Sequence, residues 1–365
     1  MRNKKRACYV VCYKDPEYIR TRTLVQALSK INGIELLVIK NRYRSFLRYI
    51  EVPARLAMAR IKFRPDIFIV GFRAHEIFWL LYPSMVGKRI VFDEFINLHD
   101  WLVNEHHKIN EQSLLTKLAD RYMRWVIKKS DVIFEDTEAH AKLSTQIYGT
   151  PPGKIVVVPV GADEETFYPR SKPRKATKFE VFFFGNMLPL HGLDVILESI
   201  KLLSQKGKLK EMRFTLVGGK GNQAMIGEIR NFIKLNKLSN SITYKEWVKY
   251  HELPDYIAQS DLCLGGPFGN TGQARRVITG KTYQFLAMAK TVVIGQIENM
   301  EGFKDRRNCL LVEQRDPKAL ADTLEWAFDN KTKMQRIAQQ GYRLYKTNFS
   351  IEAISKKMKP IIENL

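Results

Sequence analysis

From one end to the other this sequence alternates short β-branched or aromatic runs with longer stretches of helical period. That alternation admits few folds other than parallel sheets wound with helices. In the first half it predicts strands at 7–13, 34–40, 66–72, 89–95, 131–136 and 154–160, and in the second at 179–185, 213–218, 241–247, 261–265, 291–295 and 309–312. Helices fill the gaps, and three more close the chain from Pro317, Lys331 and Ile351. Between the halves, Glu165–Lys178 is polar, holds two prolines and has no apolar period, so it reads as a connection. With 365 residues there is material for two cores. The expected fold class is therefore α/β: two Rossmann-like, doubly wound domains facing each other across a cleft. Ligands of such sheets bind beyond the carboxyl ends of the strands, where Gly71, Asp93, Asp136, Gly185, Gly218 and Gly265 fall.

Composition narrows the class of protein. Hydrophobic residues make up 45% and charged residues 27%, as in soluble globular chains. No apolar run approaches the ~20 residues that span a bilayer, and the basic start runs directly into a strand with no small-residue cleavage site, so a cytoplasmic protein is expected. Cys8, Cys12, Cys263 and Cys309 are too scattered for a disulfide scaffold and read as reduced core residues. No metal site is expected, because neither His106-His107 nor Cys8 with Cys12 has a second pair to complete a ligand set. The net charge of +22, spread over both halves, points to a polyanionic partner: nucleic acid, an anionic membrane or a phosphorylated substrate.

Two segments carry the chemistry. In FFFGNMLPLHGLDVI, Phe182–Ile196, an apolar strand runs into Gly185 and His191-Gly192 opens a helix, which aims backbone N–H groups and a positive helix end at one spot. In Phe268–Gly295, a loop bearing Gly269, Gly272 and Gly280 carries Arg275, Arg276 and Lys281 into a helix and then a strand. Three cations at a loosened helix entry are costly unless solvated or opposed by an anion. The plain alternatives are a turn glycine for the first segment and a solvated surface for the second. Together the two suggest a nucleotide diphosphate held between them. His191 is either a phosphate-binding imidazole or a polar residue at a helix start. On the other half Tyr13, Arg20, Asp93, Asp100 and Asp136 follow strand ends or lie just past them, and Asp93 with Glu94 could pair as acid and base; helix capping or a solvated turn explains each equally well. Residues 40–64 hold eight basic residues and one acidic, interleaved with Phe46, Leu47, Tyr49, Ile50, Leu56 and Met58. They fit an amphipathic helix on anionic lipid and, as well, an ordinary helix with a basic outer face.

The order of FFFGNMLPLHGLDVILESI, FTLVGG, ITYKEW, ELPDYIAQSDLCLGG, RRVITGKTYQFLAMAKTVVIG and NCLLVEQRDPKALADTLEWAF resembles the donor domain of GT-B-fold retaining glycosyltransferases of family 4, also called group 1, over nearly all of 179–330. RPDIFIVGF, IVFDEFINLHD, SDVIFEDTEAHAKL and KIVVVPVGADEETFYP extend a looser similarity through the first half. The resemblance implies GT-B architecture: an acceptor domain over 1–168, a linker over 169–178, a donor domain over 179–348, and a C-terminal helix, 349–365, returning to the first domain. It implies a phosphate loop spanning Gly185, Asn186, His191 and Gly192, with Gly218, Gly269, Arg275 and Thr282 also on the donor and the base against Trp247 and Val248. Asn186 and His191 stand where family members usually carry an arginine and a lysine. Arg276 and Gln284 stand where a pair of glutamates is usual. Gln284 can still hydrogen-bond a ribose diol, and Arg276 suits a diphosphate, so cations lost at the first loop reappear at the second. A branch of the family carries the same RVI and KxYQ. The implied reaction is transfer of a hexose-type sugar from a UDP- or GDP-sugar to a glycan or lipid-linked acceptor with retention and without metal or other cofactor. Arg276, Lys281 and His191 would stabilise the leaving diphosphate. An inactive subunit of a glycan-assembly complex, a nucleic-acid binder, which lacks any recognised module, and a sugar-nucleotide epimerase are the competing readings.

Overall fold

The computed structural model describes residues 4–105, 110–170 and 178–365. His106-His107 and linker positions 171–177 lie outside the described residues. The chain divides into two compact units: residues up to Gly161 together with Asn348–Leu365, and Ala162–Thr347.

The first unit contains β1 (Lys5–Val11), α1 (Ile19–Ser29), β2 (Ile34–Lys40), α2 (Arg48–Lys62), β3 (Ile67–Val70), α3 (Phe78–Met85), β4 (Arg89–Asp93), α4 (Leu114–Lys129), β5 (Val132–Glu135), α5 (Glu138–Tyr148) and β6 (Ile155–Val157). The six strands are all parallel and lie in the order β2-β1-β3-β4-β5-β6. The second unit continues with β7 (Phe179–Gly185), α6 (Leu193–Gln205), β8 (Met212–Gly218), α7 (Gln223–Leu235), β9 (Ile242–Lys245), α8 (Leu253–Gln259), β10 (Leu262–Leu264), α9 (Gly280–Ala287), β11 (Thr291–Gly295), β12 (Leu310–Val312), α10 (Pro317–Asp329) and α11 (Lys331–Leu344). Its parallel order is β12-β11-β10-β7-β8-β9, the Rossmann order, with the direction of winding reversing between β7 and β10. The last helix, α12 (Ile351–Asn364), packs on α1 in the first unit, burying Ile351, Ile354, Met358 and Ile362 beside Leu24 and Leu28.

Sequence alternation located every strand among the described residues, and several expected starts came one residue early for a common reason. Asp66, Asp131 and Asp261 precede β3, β5 and β10, and their carboxylates accept the N–H groups of Arg6, Ile90 and Glu180 at 2.9, 2.8 and 2.7 Å. Each aspartate thus satisfies the exposed start of a neighbouring strand in place of extending its own. Helix starts follow ordinary capping chemistry. Ser113, Thr137, Asn222, Asp316 and Ser350 accept N–H groups of α4, α5, α7, α10 and α12 on their side-chain oxygens. Phe179, Val181, Phe183, Phe214, Leu216 and Leu264 fill the core on one face of the second sheet, and Phe182, Cys263, Val292 and Ile294 are buried on the other, so the strand ends are left to the loops.

Candidate functional site

At the winding reversal of the second unit, the loops after β7 and β10 interlock. Gly192, at φ +64°, sits so close to the backbone of Phe268 and Gly269 that a Cβ would lie 2.5 and 2.6 Å from them. Gly269 in turn donates its N–H to the Leu190 carbonyl at 3.0 Å and leaves no room for a side chain against the Pro189 carbonyl. Gly218, at φ +149°, lies against the Gly185 carbonyl. Glycine is required at these places because backbone meets backbone. The loop after β10 is fastened further by Gln314, which donates to the Ala274 carbonyl at 2.7 Å, and by Thr279, which donates to the Gly265 carbonyl at 2.7 Å.

Beneath this junction His191 and Lys281 converge on Gly185. A Cβ built there would be 3.0 Å from the His191 ring and 3.3 Å from Lys281 Cε. Both side chains are buried, at 8% and 6% exposure, and both Lys281 Nζ and His191 Nδ1 lack a hydrogen-bond partner. The Lys281 amine lies 5.2 Å from the centre of the Phe183 ring, and the His191 ring meets the same phenyl edge-on. Burial lowers the Lys281 amine to about 7. Burial, and then the Lys281 charge, hold the His191 imidazole well below its ordinary range. Two buried, unpaired nitrogen groups, where the loop enters α6 and α9 begins, form a place that an anion would complete.

The other expected donor-side residues divide. Gln284 is buried one turn beyond Lys281. Arg276 is partly buried, whereas Arg275 is exposed and uses its carbonyl to accept the Glu298 N–H at 2.8 Å. Thr282 is fully buried, with its hydroxyl 3.1 Å from that of Thr279 and packed under Gly265, so it joins the loop to α9. Val248 is buried and Trp247 is 54% exposed with the Lys220 amine 4.2 Å from its ring centre. Asn186 is exposed. Phe183, which supports both His191 and Lys281, escaped the sequence reading because a phenylalanine inside an apolar strand gives no signal beyond core.

In the first unit, Arg20 and Asp93 are fully buried and paired at 2.7 Å, and the guanidinium also donates to the Val158 and Pro159 carbonyls. Tyr13 belongs to an aromatic group with Tyr18 and Phe72. Asp100 is buried with its N–H on Asn97 Oδ1. Asp136 is hydrogen-bonded to Nδ1 of His140. Glu135 adjoins it, and Glu94 accepts from Asn97 Nδ2 at 3.1 Å and from the Ser144 hydroxyl at 2.7 Å. Burial, and then the Glu94 carboxylate, push the Glu135 carboxyl well above the carboxylate range. Glu135 and His140 were not anticipated, although the spacing of Asp136 and His140, four apart at a helix start, places them on one face.

Residues 178–330 match the family model described as Glycosyl transferases group 1. The D-inositol 3-phosphate glycosyltransferase of a Nocardioides species is 21% identical over 58% of this chain and 49% of its own length. The mannosylfructose-phosphate synthase of Agrobacterium fabrum is 20% identical over 65% of this chain and 54% of its own. The chain thus spans about half the length of these relatives. Among solved structures, Anabaena HepE in complex with UDP and glucose superposes with a TM-score of 0.73 at 15% identity, over 99% of this chain and 100% of that one. The fold is therefore that of GT-B proteins.

Proposed function

We propose, from a second unit that carries a glycosyl transferases group 1 domain, that this protein transfers a hexose-type sugar from a nucleotide-diphosphate sugar, with retention of configuration, to a glycan or lipid-linked acceptor. The observation that carries the reading is the pair of buried, unpartnered nitrogen groups, Lys281 and His191, against Gly185 at the winding reversal. A diphosphate there would take up the Lys281 charge and a His191 hydrogen bond, with Arg276 and the start of α6 beside it. Sugar–phosphate cleavage puts growing charge on the leaving oxygen, and preorganised donors stabilise that charge at the moment it forms. No metal is assigned to this step, since cationic side chains serve the role. In the retaining scheme the acceptor attacks on the face that the diphosphate leaves, and a phosphate oxygen takes its proton. Gln284 would hold the ribose and Val248 the base. Uridine is the preferred base because HepE binds UDP and UDP-glucose.

A melting panel of UDP-, GDP- and ADP-sugars tests the assignment. A UDP-sugar at a hundred times its dissociation constant is expected to stabilise by ~2.7 kcal/mol, and no response to any nucleotide sugar would remove the donor site. Binding should also depend on pH. Lys281 is about half neutral near pH 7 in the free protein and would be held protonated by a diphosphate, so binding takes up a proton above pH 7. UDP affinity is expected to fall with rising pH, approaching about tenfold per unit while the bound amine stays protonated. Calorimetry in two buffers of different ionisation enthalpy measures that proton directly; binding with no proton uptake between pH 7 and 8 would place the diphosphate elsewhere.

The lipid side of the reading rests on α2. Val52, Leu56 and Ala59 face the core, yet Leu47, Ile50, Met58 and Ile61 form a second apolar stripe on the outer side, exposed among Arg44, Arg48, Arg60 and Lys62. Among the described residues no helix is long and apolar enough to cross a membrane. Such a helix suits the cytoplasmic face of an anionic bilayer, its stripe in the headgroup region and its cations on the lipid phosphates. In sedimentation with vesicles, the Ile50→Ser, Ile61→Ser double variant is expected to bind phosphatidylglycerol-containing membranes at least about tenfold more weakly, each isoleucine giving up ~1–2 kcal/mol of apolar transfer. Equal binding by parent and variant would return α2 to an ordinary surface helix.

A further inference from the structure

Beyond β4 and β5 the first unit buries more carboxyl groups than it has cationic side chains beside them. Asp93, Glu94, Glu135 and Asp136 are each at most 1% exposed. Arg20 answers Asp93, and His140 bonds Asp136; Glu94 receives the neutral donors Asn97 and Ser144 and meets the Glu135 carboxyl in a side-chain hydrogen bond. Apart from the proton that Glu135 and Glu94 can share, the Glu135 oxygens and Oδ2 of Asp136 meet no donor. Removing a carboxylate from water costs several kcal/mol unless a counter-charge or donor replaces the lost hydration. A ligand atom from each of Glu135, Asp136 and His140 lies within 4.8 Å of the other two.

We propose that Glu135, Asp136 and His140 form a binding site for a single divalent cation, with Glu94 as an outer carboxylate. All three ligands come from six consecutive residues at the junction of β5 and α5, where the Thr137 cap fixes the first turn, so the set is built by local structure. The ion would take the place of the proton shared by Asp136 and His140 Nδ1, so that both groups become ligands, with Asp136 Oδ2 also without a donor. Two carboxylates and one imidazole suit manganese or zinc better than calcium, which prefers an all-oxygen shell. The site shares no residue with the proposed diphosphate pocket, so the two readings fail independently. The cation would tie the end of β5 to the start of α5 and, through Glu94, to the end of β4, which carries the buried Asp93.

The test starts from full-length protein purified without an affinity histidine tag, stripped with chelator, and titrated with Mn²⁺ and separately with Zn²⁺. One equivalent per chain, a melting temperature that rises with metal concentration, and proton release on binding are expected. Glu135→Gln and Asp136→Asn should each weaken the metal at least about 100-fold while leaving UDP binding unchanged. Three results would overturn the proposal: no binding of either ion by the parent, binding that survives both substitutions with unchanged affinity, or a Glu135→Gln protein more stable than the metal-saturated parent. The last would mean that protons alone balance the cluster.

Discussion

Replacing Lys281 with methionine is expected to weaken UDP binding by about 100-fold or more while raising the melting temperature of the protein. Both effects have one cause. The amine is buried, pairs with nothing and sits at the start of α9, where a helix end disfavours positive charge. Its folded value of about 7 lies below the ordinary 10.5, so the unfolded chain binds the proton more tightly. The resulting penalty is absent above about pH 10.5, grows as pH falls, and is complete below about pH 7, where it amounts to roughly 5 kcal/mol. Methionine keeps most of the volume and removes the penalty. Stability gained together with ligand lost is the pattern of a group retained for binding. Calorimetric UDP titrations and thermal melts at pH 6.5 and 9 check both halves, and the stabilisation should be larger at the lower pH. A variant that melts lower yet binds UDP like the parent would show that the amine serves the fold.

The second large effect is expected at Asp93→Ala. Arg20 is fully buried and directs both Nε and a terminal nitrogen at this carboxylate. Its removal leaves a buried guanidinium with the Val158 and Pro159 carbonyls in hydrogen-bond contact and the Asp136 carboxylate acting only through space. Breaking such a pair typically costs ~3–5 kcal/mol, a fall of roughly 10 °C for a unit of this size. An Arg20→Met, Asp93→Leu double variant should recover a large part of that loss, because the pair's desolvation cost goes with it. If Asp93→Ala keeps the parental melting profile and loses only transfer activity, Asp93 works on substrate. Unfolding followed by a probe in the first unit, alongside donor binding in the second, separates these outcomes.

The sequence was most legible where physics is local. Period and length located twelve strands, and the misplaced starts at Asp66, Asp131 and Asp261 arose because a side-chain hydrogen bond to a neighbouring strand leaves no mark on hydropathy. In the donor half, Gly185, His191, Gly269 and Lys281 could be singled out one by one from their loops. That His191 and Lys281 meet over Phe183 depends on a contact between positions ninety residues apart, which no window reveals. Arg275 illustrates the converse: three cations in seven positions read as one group, but the turn at 273–275 points the first of them to solvent. On the other half, Arg20 and Asp93 were visible as charged residues near strand ends, yet their mutual burial, and the company Asp136 keeps with Glu135 and His140, required the sheet to be assembled.

Gly161 gives the chain's connectivity a further meaning. At φ +73° it passes so near Phe349 and Ile354 that a methyl group would strike the Phe349 carbonyl, so the outgoing and returning segments run side by side. The second unit is thus spliced into the first. During synthesis Ala162–Thr347 is made before its host is complete, since the groove beside α1 waits for Ile351, Ile354 and Met358, which follow it in the chain. A chain released after residue 347 would display a finished Rossmann unit behind an unfinished one whose apolar groove lies open, a form suited to chaperone capture and vulnerable to proteases.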